Sequence, residues 1–441
     1  MATIYPFRAL RYDPARVALA DVVTQPYDKI SREMQERYYG ASPYNLVRII
    51  LGKHEEREDP GEVYKTAANA LSEWRSIGVL KTDAAPSIYA YLQRFTIPGD
   101  EHGREYERRG FIALGKLEDY ENGIVHRHEQ TLSGPKADRL NLVRATHAHF
   151  GQIFMVYNDP DMLVERALFS APDSHEAAAD VDVVDEYGVR HRLWQVSDTA
   201  VIRDVQESML NKKLIIADGH HRYETALNYR NERRAQAGEQ CPDAAYERVM
   251  MTFVNMDSEG LVVLPTHRVV FGLDGFDPAA FVEAARRYFS VSALREPATA
   301  ASAVRLLAER SDKGTVLLAV TPPADFIIET RGDQRAADDL LAGLSPRQRE
   351  LDVVQLHKVL LEGVLGLSEE SIRRQTNLRY VRAADDAIQQ VRSGKAQAAF
   401  LMNPVRMEQV RDIAFAGGVL PQKSTDFYPK LLSGLTIYAL D

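Results

Sequence analysis

One cysteine, Cys241, occurs in 441 residues. A single thiol excludes an internal disulfide and a thiolate metal cluster, and it favours a reducing compartment. No run approaches the ~20 apolar residues that span a bilayer, so no membrane partner is expected. An excess of cations is also missing: 54 Lys and Arg stand against 63 Asp and Glu, a formal charge of −9. Non-specific DNA binding depends on cations that neutralise phosphates, and no Lys/Arg block supplies them, so DNA is not an expected partner. Low-complexity tracts and internal repeats are absent. The opening MATIYPFRALRYDPARVA is charged where a signal peptide needs an apolar core, which leads to the expectation of a cytoplasmic protein.

What remains is an ordinary globular composition, 45% apolar and 27% charged, long enough for two or three domains. Helical and strand patterns alternate, so the expected class is mixed α/β (α+β). Val63, Ala67, Ala70, Leu71 and Trp74 form one stripe of a helix over 60–77. Strands are expected at 87–95, 110–117 and 152–157, and a hairpin over 180–196 that turns at Glu186-Tyr187-Gly188. A second strand pair is expected at 248–256 and 261–264. Beyond it the pattern changes to helices at 278–289, 299–310 and 352–365, a strand at 315–320 and a helix–strand unit over 383–402. We therefore expect a domain over 1–272 and a smaller α/β domain over 273–441.

The densest chemistry is Asp218-Gly219-His220-His221-Arg222-Tyr223. The apolar run Leu214–Ala217 reads as a buried strand that stops at a polar turn and opens a helix. Such a turn aims N–H groups and a positive dipole end at one spot, which suits an anion. Arg222 can grip phosphate with two parallel bonds, His220 and His221 can move a proton or bind metal, and Asp218 can hold a divalent cation or orient a hydroxyl. Gly219 permits a positive φ.

A second constellation is His126-Arg127-His128-Glu129, continuing through Thr131 to Lys136 and Arg139. Glu129 suits a general base, His128 a metal ligand, and Lys136 and Arg139 an anionic ligand. Near the C-terminus Lys423-Ser424-Thr425 and Lys430 form a polar loop with an anion-binding option, without the glycine spacing of a phosphate loop. Asp28, in Gln25-Pro26-Tyr27-Asp28, offers one more carboxylate. Cys241 has no neighbour in sequence that would lower its pKa, so it is not expected to be a nucleophile.

Taken in order, Gln25-Pro26-Tyr27-Asp28, His128-Glu129 with Thr131, Lys136, Asp138 and Arg139, the 218–223 segment, and Lys423-Ser424-Thr425 with Phe427, Pro429, Lys430 and Ser433-Gly434-Leu435 resemble a prokaryotic family known as domain of unknown function 1015. The stretch Ile216–Tyr223 also resembles the nucleotide-binding turn of the ParB/sulfiredoxin-like superfamily, which includes free-serine kinases. That resemblance implies a ParB/sulfiredoxin-like N-terminal region, with Gly219 to Arg222 cradling nucleotide phosphates and Asp218 serving a metal or the substrate hydroxyl. His220 stands where a sulfiredoxin would carry its cysteine, so peroxiredoxin repair is not expected. No helix-turn-helix follows the motif.

The function these residues lead us to expect is a nucleotide-dependent phosphotransferase acting on a small hydroxyl metabolite, with serine favoured and ATP or ADP with Mg²⁺ as cofactor. Arg222, Lys136 and Arg139 would neutralise phosphate charge, Asp218 with His128 or His220 would hold the metal, and Glu129 or Asp28 would act as base. One alternative is a metal-dependent phosphoserine hydrolase that uses His126, His128, His220 and His221 around a transition metal. The other is a non-catalytic nucleotide-binding switch.

Overall fold

The structure, a computed structural model, describes residues 2–53, 61–100, 103–129, 135–169, 178–238, 241–331 and 335–440. It is a mixed α/β protein whose chain divides by internal contacts into two compact units. The first gathers residues 1–127, 131–262 and 429–441, and the second gathers 128–130 and 263–428.

The first unit is built on a nine-stranded sheet. Its strands are β1 (Ile4–Tyr5), β2 (Ile88–Thr96), β3 (Glu105–Lys116), β4 (Val125–Arg127), β5 (Ile153–Tyr157), β6 (Val181–Val184), β7 (Arg190–Val196), β8 (Leu214–Asp218) and β9 (Arg248–Asn255). Their spatial order is β4-β8-β5-β9-β3-β2-β7-β6, with β1 added beside β3. The β8–β4 and β9–β5 pairs are parallel and the rest are antiparallel. The expected hairpin is β6–β7, and Gly188 takes the positive φ of 78° in its turn. Strand β3 begins five residues before its apolar run, among charged residues that carry no strand pattern.

Four helices matter to the site: α1 (Glu62–Ser76), α2 (Pro135–Thr146), α3 (Thr199–Met209) and α4 (His220–Ala237). Ile202, Val205 and Met209 on α3 and Tyr223 and Ala226 on α4 pack against one face of the sheet, with Ile153, Ile216 and Phe253. Each Val, Ile, Met or Phe side chain among them contributes ~1.5–3 kcal/mol on full burial. A separate core joins Leu71 and Trp74 of α1 to Leu142 of α2, and it includes Ile437 near the C-terminus.

The C-terminal stretch returns to the first unit through backbone pairing. Ser433 and Thr24 exchange N–H···O bonds of 3.0 and 2.9 Å, Ile437 pairs with Leu10, and Tyr438–Ala439 pairs with Ala148–His149. The single linear cut expected after 272 does not include this return.

The second unit holds a six-stranded antiparallel sheet of β10 (His267–Val270), β11 (Phe289–Ala293), β12 (Val316–Val320), β13 (Asp325–Thr330), β14 (Leu378–Val381) and β15 (Ala398–Met402). Its order is β11-β13-β12-β15-β10-β14. Helices α5 (Pro278–Ala285), α6 (Ala300–Arg310) and α7 (Ala384–Arg392) fall within the expected helical stretches. The expected helix over 352–365 forms, but Gln355–Val364 is wound as a π-helix. Val262–Leu264 does not pair with β9 as expected; it joins a separate two-stranded sheet. Among the described residues no helix is long and apolar enough to cross a membrane.

Candidate functional site

In the first unit the site grows out of the end of β8. Strict alternation would place Asp218 on the same core-facing side as Leu214 and Ile216, but the register with β5 slips between Ile216 and Asp218. That bulge releases the carboxylate from the core. Gly219 follows with φ +95° and caps α4. It has a second reason to be glycine: a Cβ there would stand 3.0 Å from Cζ and Nε of Arg222.

Arg222, one turn into α4, folds back over this glycine. One of its guanidinium N–H groups donates to Asp218 at 2.5 Å and another to the carbonyl oxygen of Gln152. From the returning C-terminal stretch, Lys430 reaches the other carboxylate oxygen at 3.3 Å. Burial pushes the Asp218 pKa up, but Lys430, Arg222 and Lys29 outweigh it and hold the carboxyl well below the usual carboxylate range. Three cations against Asp218 and the Asp28 carboxylate beside Lys29 still leave the cluster with a net positive charge at a helix N-terminus.

Tyr27 and Asp28 belong to the same neighbourhood. The turn Tyr27–Lys29 places Asp28, exposed, 3.7 Å from Lys29. Arg139 stacks over the Tyr27 ring at 4.2 Å and donates to Asp138 and to the Ile50 carbonyl oxygen. Burial raises the Tyr27 pKa, and the charges of Arg222, Asp28 and Arg139 all act on that phenol. A cavity beside Arg222 is lined by Tyr27, Arg139, Phe150, Thr225 and Ser433. Thr225 is 2% exposed, and its hydroxyl has no hydrogen-bond partner among the described residues. A buried polar atom left in that state is an opening for a ligand or water.

The second unit holds the remaining predicted residues. His128 Nε2 lies 2.7 Å from the Thr425 hydroxyl, and Glu129 accepts the backbone N–H of Lys423. Lys423 has φ +57°, a strained backbone for a residue with a side chain. Beneath this loop lies Arg268, fully buried, which donates to the Lys423 carbonyl oxygen at 3.0 Å and to His357 at 3.1 Å. Ser424, also buried, donates to the Pro421 carbonyl oxygen at 2.5 Å.

The predicted set is therefore shared out. Asp28, Arg139, Asp218, Gly219, His220, His221, Arg222 and Lys430 belong to the first unit, and His128, Glu129, Lys423, Ser424 and Thr425 to the second. The two histidines occupy the first turn of α4, half-buried. Thr131 and the Lys136 side chain lie outside the described residues. The expected metal ligands Asp218, His128 and His220 find no support: among the described residues no group of three or more His, Cys, Asp or Glu is arranged to hold a metal. Asp218 is instead engaged by Arg222 and Lys430. Sequence reasoning missed Lys29, Gln152 and Arg268. Lys29 was within reach, since it adjoins the Asp28 motif. Arg268 follows His267 in a four-residue strand with no local feature to mark it as a buried anchor.

No curated protein matches the chain. Solved structures that resemble it include a conserved hypothetical protein from Pyrococcus furiosus, 12% identical, covering 72% of this chain and 90% of that one at a TM-score of 0.35. A free serine kinase in complex with AMP is 13% identical over 72% and 86% of the two chains, at 0.34. A C-terminally truncated SbnI from Staphylococcus aureus is 10% identical over 73% and 85%, at 0.33. At these TM-scores the overlap is loose, and it brings neither a ligand nor an activity to this chain. The family model described as protein of unknown function (DUF1015) matches residues 4–377, and the chain belongs to that family.

Proposed function

We propose that the protein is a nucleotide-dependent phosphotransferase acting on a small hydroxyl metabolite. The observation that carries this reading is the Asp218–Arg222–Lys430 cluster at the strand-to-helix turn. Phosphoryl transfer asks a protein mainly for positioning and for cations around the phosphates. Arg222, Lys430 and Lys29 supply the charge, Gly219 lets the helix N-terminus approach closely, and Arg139 adds a further guanidinium.

The donors suit a nucleotide with Mg²⁺ better than a metal cage. Mg²⁺ keeps much of its water and binds through one or two carboxylates and the phosphates; Asp218 would serve it only by exchanging its contact with Arg222 or Lys430. When bound, the nucleotide supplies the phosphoryl group. Asp28, exposed beside Lys29, would accept the proton of the substrate hydroxyl. The orphaned Thr225 hydroxyl would orient the ligand in the cavity beside Arg222. Serine as acceptor follows the sequence resemblance to free-serine kinases. Among the described residues no group of three or more His, Cys, Asp or Glu is arranged to hold a metal, so no observation favours the metal-dependent hydrolase over the phosphotransferase.

The test is incubation of the purified chain with ATP, Mg²⁺ and serine, with phosphoserine and ADP followed by mass spectrometry. Product formation that is lost in Asp28→Asn supports the reading. ATP binding with no transfer to serine or to a panel of hydroxyl metabolites would instead leave a nucleotide-binding switch.

A further inference from the structure

Arg108 and Gln93 carry no motif, yet the structure spends a buried guanidinium on them. Both are 1% exposed and face each other across β2 and β3. Arg108 Nε donates to Gln93 Oε1 at 2.9 Å, a second N–H of the same guanidinium reaches that oxygen, and a terminal nitrogen donates to the carbonyl oxygen of Pro429 at 2.6 Å. Gln93 Nε2 donates in turn to the carbonyl oxygen of Lys430 at 3.0 Å. The row continues into the next strand. His191 lies opposite Gln93, bonded through Nδ1 to the Tyr91 hydroxyl at 2.6 Å and through Nε2 to Asp185 at 3.3 Å. Gln25 donates to the same Asp185 oxygen at 3.0 Å.

Such a row is expensive to bury. Desolvation pushes the Arg108 pKa down to about 10. A well-packed apolar pair in these positions would stabilise the sheet as well or better, so stability alone does not explain the row. Its outer end explains more. Both donors terminate on the backbone of Pro429 and Lys430, the two residues that set where the Lys430 side chain starts. That side chain is 9% exposed and ends on Asp218.

We propose that Arg108 and Gln93 are positioning residues, which fix the Pro429–Lys430 backbone so that the Lys430 ammonium stands against Asp218. The role in binding rests on the phosphate-site reading; the placement of Lys430 does not. Two measurements on the full chain separate them.

The first is amine-reactive labelling followed residue by residue by mass spectrometry. Lys430 labels slowly in the wild type. In Gln93→Leu and Arg108→Lys it labels about fivefold faster or more, the factor expected when one net hydrogen bond is lost, while exposed Lys81 is unchanged. If Arg108→Lys fails to fold, Gln93→Leu decides on the same lysine. Unchanged Lys430 reactivity in a folded Gln93→Leu overturns the proposal. The second is a double-mutant cycle on pyrophosphate affinity. Gln93→Leu weakens binding in the wild type and has no further effect in Lys430→Met. An equal loss in both backgrounds would mean a general structural role and overturn the proposal. If Lys430→Met itself binds pyrophosphate normally, the phosphate reading fails, and the labelling result alone decides the placement.

Discussion

Replacing Gly219 by alanine asks two questions of the site at once. A side chain in the left-handed region costs ~1–2 kcal/mol, and Gly219 sits there at φ +95°. The added Cβ also stands 3.0 Å from Cζ and Nε of Arg222, so the guanidinium must give way by a few tenths of an ångström. That guanidinium is held between Asp218 and the Gln152 carbonyl, and disturbing a charge-assisted bond adds up to ~1.5–3 kcal/mol. Denaturant unfolding followed by tryptophan fluorescence reads the effect in the right place, because Trp74 and Trp194 both lie in the first unit. We expect a loss of ~1–5 kcal/mol in stability and about a tenfold loss of pyrophosphate affinity. Asparagine tolerates the left-handed region better but carries the same Cβ, so Gly219→Asn should recover part of the stability and none of the affinity. A Gly219→Ala protein that binds pyrophosphate like the wild type would refute the reasoning, whatever its stability.

Other consequences follow from the same contacts. The Asp218 carboxyl is held below its unfolded value, so its contribution to stability is present above the ordinary carboxylate range and is lost only as pH falls towards the lowered folded value. The stability gap between wild type and Asp218→Asn should stay constant from about pH 8 to 5 and close only below about pH 4, which pH-dependent unfolding checks. His149 is pushed down to about 4 by burial. Its unfolded form therefore takes up a proton first, and stability falls as pH drops from about 6.5 to about 4, by at most ~1.4 kcal/mol per pH unit; His149→Asn should flatten that slope in the tryptophan signal. In the second unit, Glu129→Ala frees the Lys423 amide, whose hydrogen exchange should quicken about tenfold or more while the tryptophan transition is unmoved.

The strand, turn and helix at 214–237 were legible because all their causes are local: an apolar run, Asp-Gly, then helical spacing. The β6–β7 hairpin was legible for the same reason. Lys430 had an anion-binding reading, but nothing linked it to Asp218, 212 positions earlier in the chain. That link depends on the C-terminal return, which is made by backbone bonds at Ser433 and Ile437 and leaves no side-chain signature. Arg108 was hidden for another reason. In Glu107-Arg108-Arg109 its neighbours are charged as well, and only the sheet shows that the middle residue points inward.

The central claim is that the Asp218–Arg222–Lys430 cluster receives nucleotide phosphates, and calorimetric titration of ATP with Mg²⁺ tests it directly. We predict saturable binding to the wild type and a loss of about tenfold or more in Arg222→Ala, the cost of one charge-assisted contact of ~1.5–3 kcal/mol. No binding to the wild type at millimolar ATP, or the same affinity in the folded Arg222→Ala protein, would contradict it.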